Sequence, residues 1–482
     1  MPRSSPAGPP RAKLGAFDRS GTIQGVEPEE LADAIARLTK WAQEHAPEPE
    51  PAVRALLREH LGGNPAELPI VTRPLAAWDR PNFQLAIDEW SAGRDVELIG
   101  LPTMQGYRAG LAELARGGGW VSQIQPGPVE HVPVPLGEHE SVLCVKSGFW
   151  LVNDDEGPMA VMLKSEDRGM GENVGVEVMA PARQRAERVV AELTRLMRER
   201  NVYRGRVLEL GARYFHDDED APLTVRTLPK ITRDRIVLPN GVLERIERQA
   251  FGIAEHAERL RASGRHLRRG LLLHGPPGTG KTLTAMYLAA SMPGRTVVLL
   301  TGQSLGAVGA SIDLATALQP AMVVLEDVDL VAMDRDYDEP TNAILFELLN
   351  GMDGLDEDHD VLFVLTTNRA DLLEPALASR PGRIDQAVEL PLPDAPGRRR
   401  LIALYGEGLE LGTADDQLVA DLDGVSPAFI RELLRRAALV AAEESDGALR
   451  VTAEHLRSAL EDLRTGAGEL TNTLLGARPE PD

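Results

Sequence analysis

The run Gly275-Pro276-Pro277-Gly278-Thr279-Gly280-Lys281-Thr282 constrains this chain more than any other stretch. It fits G-x-x-x-x-G-K-[ST], follows the apolar Leu271 to His274, and opens a helical stretch in which Leu283 comes next. A strand turning sharply into a helix through glycines can point its backbone N–H groups inward. Such a loop cradles phosphate oxygens, and the helix N-terminus adds its positive end. Lys281 is placed to reach β- and γ-phosphates, and Thr282 offers a hydroxyl to Mg²⁺. Residues Gly275 to Leu283 are therefore expected to bind a nucleotide, with ATP and Mg²⁺ as the cofactors.

The sequence around this loop alternates short apolar runs with helical stretches. Strands are predicted at Leu271 to His274, Thr296 to Leu300, Met322 to Glu326, Val361 to Thr366 and Gln386 to Leu390. Helices between them imply a parallel sheet covered on both faces. The third run, Ala321 to Leu325, ends in Glu326-Asp327-Val328-Asp329, so carboxylates emerge at the C-terminal edge of that sheet, where open α/β sheets bind ligands. One carboxylate is needed to hold a metal and another to orient or deprotonate attacking water. Further on, Ser426 as N-cap and Pro427 as first residue open a helix whose Phe429, Ile430, Leu433, Leu434 and Ala437 share one face. A small helical subdomain closes the globular part.

The N-terminal half is read differently. Residues 1–24 and 466–482 are rich in Gly, Pro and polar residues without periodicity and are expected to be flexible. Helical periodicity from Pro28 to His60 (Leu31, Ile35, Leu38, Trp41) is broken by a Pro-rich linker at Pro47 to Pro51. Strand-like runs at Val142 to Val152 and Val174 to Met179 precede a predicted helix over Pro181 to Arg200, with Ala186, Val189, Val190, Leu193, Leu196 and Met197 as its core face. The expected organisation is a mixed α/β domain over 25–225, a large α/β subdomain over 226–395 and a helical lid over 396–465.

With those motifs in place, the region from Ile231 to Leu463 resembles an AAA family ATPase module. Thr366-Thr367-Asn368-Arg369-Ala370-Asp371 and Pro375 to Asp385 resemble that family's second region of homology. The resemblance implies a five-stranded parallel sheet with flanking helices and a helical lid. It also implies that Asn368 senses the γ-phosphate and attacking water, and that Arg380 and Arg383 act in trans on a neighbouring subunit's nucleotide. The Walker B pair is reversed here to Glu326-Asp327. In its Leu-Glu-Asp-Val-Asp and Val-Ser-Pro-Ala runs the module is similar to the mitochondrial translocase type that acts on the Rieske protein. By position Glu326 is then the metal-side group, with Thr282, and Asp327 the base. Between Leu300 and Ile312, where threading members carry a pore-facing aromatic, the loop reads Thr301 to Ala310 without one. The adenine-side Gly-Ala pair of the lid reads Pro427-Ala428, and the strand expected before the module, Asp234 to Val237, lacks the frequent glycines.

The resemblance implies an ATPase, forming a homo-oligomeric ring with six subunits as the family expectation, that remodels a protein client recognised by the N-terminal domain. The rival is a slow ATP-gated assembly switch. Composition narrows the other classes: 52 Lys plus Arg against 74 Asp plus Glu gives 52 − 74 = −22, which disfavours a nucleic-acid motor. Cys144 is the only cysteine, so thiolate zinc clusters and disulfides within the chain are excluded, and no H-E-x-x-H pair marks a zinc protease. No run of apolar residues is long enough for a membrane span and no leader pattern opens the chain, so a cytoplasmic setting is expected.

Overall fold

The computed structural model describes residues 28–45, 50–102, 109–167, 172–210, 223–302, 307–329, 343–354, 358–371, 384–411, 416–444 and 449–465. Arg380, Arg383, the acidic 217–220, both termini and positions 303–306 of the Thr301 to Ala310 loop lie outside them.

In the N-terminal half, strands β1 (Ile70–Leu75), β2 (Asp95–Gly100), β3 (Glu130–Pro135), β4 (Ser141–Asp154), β5 (Gly157–Asp167) and β6 (Glu172–Met179) form a six-stranded sheet. The order is β1-β6-β5-β4-β2 with β3 also on β4, and every pairing is antiparallel. Strand periodicity sorts its side chains between two cores. Trp150 and Val152 face the helices Arg80–Ser91 and Arg183–Glu199, whereas Phe149 and Leu151 face Ala52–Leu61 and Leu111–Arg116. All six residues predicted as the core face of the second of these helices are buried. The first helix, Pro28–His45, behaves otherwise: its stripe of Leu31, Ile35, Leu38 and Trp41 is solvent-exposed.

The second half is built on one sheet of seven strands, not five. Strands β7 (Val207–Leu210), β8 (Leu223–Arg226), β9 (Arg269–His274), β10 (Thr296–Leu300), β11 (Ala321–Leu325), β12 (Val361–Thr367) and β13 (Gln386–Glu389) run in the order β13-β9-β12-β11-β10-β7-β8. The five predicted runs are β9 to β13, all parallel. β7 adds a sixth strand parallel to β10, and β8 closes the edge antiparallel to β7. A four-residue run such as Val-Leu-Glu-Leu carries too little periodicity to be read alone. What recruits it is the open edge of β10, whose unpaired backbone groups need a partner.

Two apolar layers cover this sheet. One holds Val298, Leu300, Val323, Leu325, Phe363 and Leu365 against the helices Val308–Ala317 and Ala343–Asp353. Leu136 and Tyr203, from the N-terminal half, are buried in the same layer and tie the two halves together. The other layer packs Leu271, Leu273, Val324 and Val364 against the helix Lys281–Ala290. The lid core joins the helices Ala395–Tyr405, Asp416–Asp421, Pro427–Glu444 and Ala453–Thr465. The Asp234 to Val237 segment is not a strand: a 3-10 turn at Arg233–Arg235 leads into Ile236, buried in the sheet layer, and Val237, buried in the lid core. This segment places its apolar residues in two cores instead of in sheet pairing.

Candidate functional site

The phosphate loop connects β9 to the helix Lys281–Ala290, as its sequence requires. Gly275, Gly278 and Gly280 have φ of +145°, +74° and +94°, conformations that favour glycine. Two of these glycines also admit close neighbours. A Cβ on Gly275 would lie 2.3 Å from the Leu390 carbonyl oxygen, because the chain after β13 closes on the loop through Leu390 N–H donating to His274 O at 2.7 Å. A Cβ on Gly278 would lie 2.8 Å from both the Ala428 Cβ and the Ser426 Oγ.

Those last two residues belong to the lid. Ser426 caps the lid helix, its Oγ accepting from Phe429 N–H at 3.2 Å, and Ala428 N–H donates to Gly278 O at 3.2 Å. The Pro427-Ala428 pair therefore sits directly on the phosphate loop. Any motion of the lid is felt at the residues that would surround a phosphate.

Lys281 is 6% exposed, and its Nζ donates to Gly275 O at 2.9 Å and Pro276 O at 2.8 Å. Those carbonyls occupy the ammonium as phosphate oxygens would. Burial pushes its pKa down, while the charges of Asp327 and Asp329 pull it back up. Thr279 is buried with its Oγ1 donating to Pro276 O at 2.9 Å, which stiffens the loop. Thr282 and Leu283 are both exposed in the first turn of the helix.

At the same sheet edge β11 ends and the acidic residues begin. Glu326 N–H donates to Leu300 O at 3.0 Å, still in strand register. Asp327 then adopts φ of +48°, the one non-glycine positive φ among the described residues. Its N–H donates to Thr366 Oγ1 at 3.0 Å, and Val328 N–H donates to Thr366 O at 3.0 Å, so the end of β12 holds the turn in place. Asn368 Nδ2 reaches Asp327 Oδ1 at 3.4 Å, and Asp329 accepts from Thr367 Oγ1 at 2.8 Å and Asn368 N–H at 3.1 Å. A left-handed aspartate fixed on both sides is strain of the kind that collects at functional sites.

The electrostatics follow from this crowding. Burial, then the charge of Asp327, then that of Glu209, raise the pKa of Glu326. Burial and the charge of Asp329 raise that of Asp327, against the opposing pull of Lys281 and Asn368. Raised carboxyls beside a desolvated ammonium single this sheet edge out as a candidate functional site.

Lys281, Glu326, Asp327 and Asn368, predicted from three separate stretches, thus share one sheet edge. Asp329 was predicted only as part of an acidic run. The structure makes it a 4%-exposed anchor for the end of β12. The spacing Glu-Asp-Val-Asp was the available signal, since the third carboxylate falls one turn-residue beyond the Glu326-Asp327 pair. Ser426, Thr366 and Glu209 were not predicted as site neighbours. All three reach the site through tertiary contacts.

A divalent cation fits these donors. The carboxylates and the Thr282 hydroxyl are hard oxygen ligands, and Mg²⁺ is typically held by one or two carboxylates together with substrate phosphates. Among the described residues no group of three or more His, Cys, Asp or Glu forms a cage of its own.

Residues 271–392 match the sequence profile of the ATPase family associated with various cellular activities (AAA). The ATP-dependent zinc metalloprotease FtsH 2 of Sphaerobacter thermophilus is 35% identical over 232 residues, covering 45% of this chain and 34% of that protein. The proteasome-activating nucleotidase of Pyrococcus furiosus is 34% identical over 206 residues, 39% of this chain and 51% of its own. The 26S proteasome regulatory subunit 10B of Dictyostelium discoideum is 33% identical over 189 residues, 36% of this chain and 48% of its own. The chain thus contains an AAA ATPase domain, homologous to those of FtsH and proteasomal ATPase proteins. It spans between about a third and a half of the length of these curated relatives. No helix among the described residues is long and apolar enough to cross a membrane.

Proposed function

We propose that this protein hydrolyses ATP in a homo-oligomeric ring and uses the cycle to remodel a protein client recognised by its N-terminal α/β domain. The observation that carries the reading is the convergence of Lys281, Asp327 and Asn368 on one sheet edge. In this mechanism the Lys281 ammonium exchanges two loop carbonyls for phosphate oxygens, which keeps its hydrogen bonds while adding charge attraction. Thr282 and Glu326 would hold Mg²⁺, which would neutralise charge on the phosphates. Asp327, oriented by Asn368, holds the attacking water and accepts its proton. A raised pKa suits a base better than an ordinary aspartate would, because it brings proton affinity nearer the working pH.

Arg380 and Arg383 are proposed to supply positive charge to the neighbouring subunit's transition state, which makes a closed ring, with six subunits the family expectation, part of the chemistry. The names of the relatives point to ATPases coupled to proteolysis. The similarity to FtsH extends to 34% of that protein, and this sequence carries no H-E-x-x-H pair, so the proposed role is remodelling and not cleavage. We place the work in the cytoplasm. The similarity to the Rieske-protein translocase type remains the proposed subclass, carried by the Glu326-Asp327 order.

The test is Asp327→Asn in the full chain, which should bind ATP and turn it over at least about tenfold more slowly. If Glu326→Gln gives that phenotype while Asp327→Asn hydrolyses normally, the roles are reversed. A second reading is favoured by the loop after β10, which lacks an aromatic and gives way to a helix by Val308. It is a slow ATP-gated switch that holds and releases partners without threading them. Stoichiometric client release by one round of ATP, with no unfolding of a tagged client, identifies it.

A further inference from the structure

The geometry points to Glu209 as a positioning residue that, through Thr301, holds the end of β10 against Glu326 and so shapes the divalent-cation side of the site. The inference rests on the ATPase reading above and deepens it. Glu209 lies outside the 271–392 segment that matches the AAA profile, on a strand contributed from the N-terminal side.

The placement follows from register. β7 pairs with β10 so that Glu209 stands opposite Leu299, and β10 pairs with β11 so that Leu300 stands opposite Leu325. One residue further along each chain, Thr301 and Glu326 leave the sheet together. Thr301 Oγ1 donates to Glu209 Oε1 at 3.3 Å, and Glu326 N–H donates to Leu300 O at 3.0 Å. Arg226 on β8 donates through Nε to the other carboxylate oxygen of Glu209, which fixes the acceptor in place. The two adjacent residues Leu300 and Thr301 are thereby held from both sides, by Glu326 and by Glu209.

Without β7 and β8, β10 would be an edge strand, and its last residues would be among the first to open locally. The hairpin makes β10 an interior strand, and Glu209 is the last β7 residue in register with it toward the nucleotide edge. Glu209 also carries a negative charge beside this end of β10. Position and charge can be separated by choice of substitution. Thr301→Val removes only the hydroxyl, Glu209→Gln keeps an oxygen acceptor but no charge, and Glu209→Ala removes both.

The experiment measures Mn²⁺ binding to the full-length ADP complex by electron paramagnetic resonance, with ADP affinity measured separately in EDTA. Thr301→Val and Glu209→Ala should each weaken Mn²⁺ binding roughly three- to tenfold, the loss of one hydrogen bond, with metal-free ADP affinity unchanged. Glu209→Gln should stay within about twofold of wild type. In turnover assays the Mg²⁺ concentration for half-maximal rate should rise while kcat at saturating Mg²⁺ changes little. Unchanged Mn²⁺ affinity in both Thr301→Val and Glu209→Ala overturns the inference. So does a Glu209→Gln effect equal to Glu209→Ala with Thr301→Val silent, which would leave charge alone at work. If Glu209→Ala does not fold, Thr301→Val with Glu209→Gln carries the same decision. Wild type binding ADP but no Mn²⁺ would instead refute the metal-site reading on which the inference stands.

Discussion

Gly278→Ala tests whether the lid and the phosphate loop are one packed unit. Two penalties are separable. An alanine at φ of +74° pays for the left-handed backbone, about 1–2 kcal/mol. Its Cβ would also stand 2.8 Å from the Ala428 Cβ and the Ser426 Oγ, where carbon contacts settle near ~3.5–4.0 Å, so the lid helix must retreat by roughly 1 Å. That retreat stretches the 3.2 Å bond from Ala428 N–H to Gly278 O, worth about 0.5–1.5 kcal/mol. The control is Gly280→Ala, whose φ is +94° but whose Cβ would meet nothing within 4 Å in the nucleotide-free protein. Gly280→Ala should therefore cost about 1–2 kcal/mol and Gly278→Ala about 2–3 kcal/mol or more. Because a chain with several cores need not unfold in two states, the comparison belongs to the first thermal transition of nucleotide-free protein under identical conditions. Adding Ala428→Gly to Gly278→Ala should recover part of the difference, since it removes one of the two close contacts. Equal destabilisation by the two alanines, with no recovery from Ala428→Gly, would refute the lid contact as an energetic link.

Lys281→Ala should weaken binding of a fluorescent ATP analogue by at least ~100-fold, because the ammonium that would exchange the Gly275 and Pro276 carbonyls for two phosphate oxygens is gone and the charges of Asp327 and Asp329 are left uncompensated near the phosphates. Asp360→Ala should destabilise the protein by about 3–5 kcal/mol in urea unfolding, since it strands Arg269 and Arg295, which are 1% and 6% exposed and share that carboxylate. Burial alone would raise the Asp360 pKa, but Arg295 and Arg269 outweigh it and hold the carboxyl below its usual range. The stabilisation is thus present above the unfolded pKa of about 4 and is lost as pH falls through the folded value, so the wild-type advantage over Asp360→Ala should shrink in acid. Burial pushes the Cys144 thiol up to about 11, against the pull of the Arg80 charge, so at pH 8 a disulfide reagent should label it only after denaturant is added. Mixing Lys281→Ala with Arg380→Ala should restore partial ATPase activity if the arginine acts in trans, and specific activity that does not vary with concentration, from a stable monomer, would remove that role.

Sequence alone determined what local rules encode. The glycine spacing from Gly275 to Gly280 is dictated by the φ values that the loop adopts, and apolar runs buried on both faces made β9 to β13 legible to within a residue or two at each end. Ser426 and Pro427 announced the lid helix through capping chemistry, and the chemical types of Lys281, Glu326, Asp327 and Asn368 were readable because each is tied to a short motif. Tertiary structure decided the rest. Val207 to Leu210 looks like any four-residue alternation until β10 offers it an edge, about ninety residues away along the chain. The stripe of Leu31, Ile35, Leu38 and Trp41 has the periodicity of a core face and is nonetheless exposed, because periodicity specifies a face and not what covers it. Asp329 looked like one acid in a run of acids. Only the approach of β12 made it the acceptor for Thr367 and Asn368. Contacts of that kind are formed between residues distant in sequence, and they leave no spacing in the chain from which they can be read.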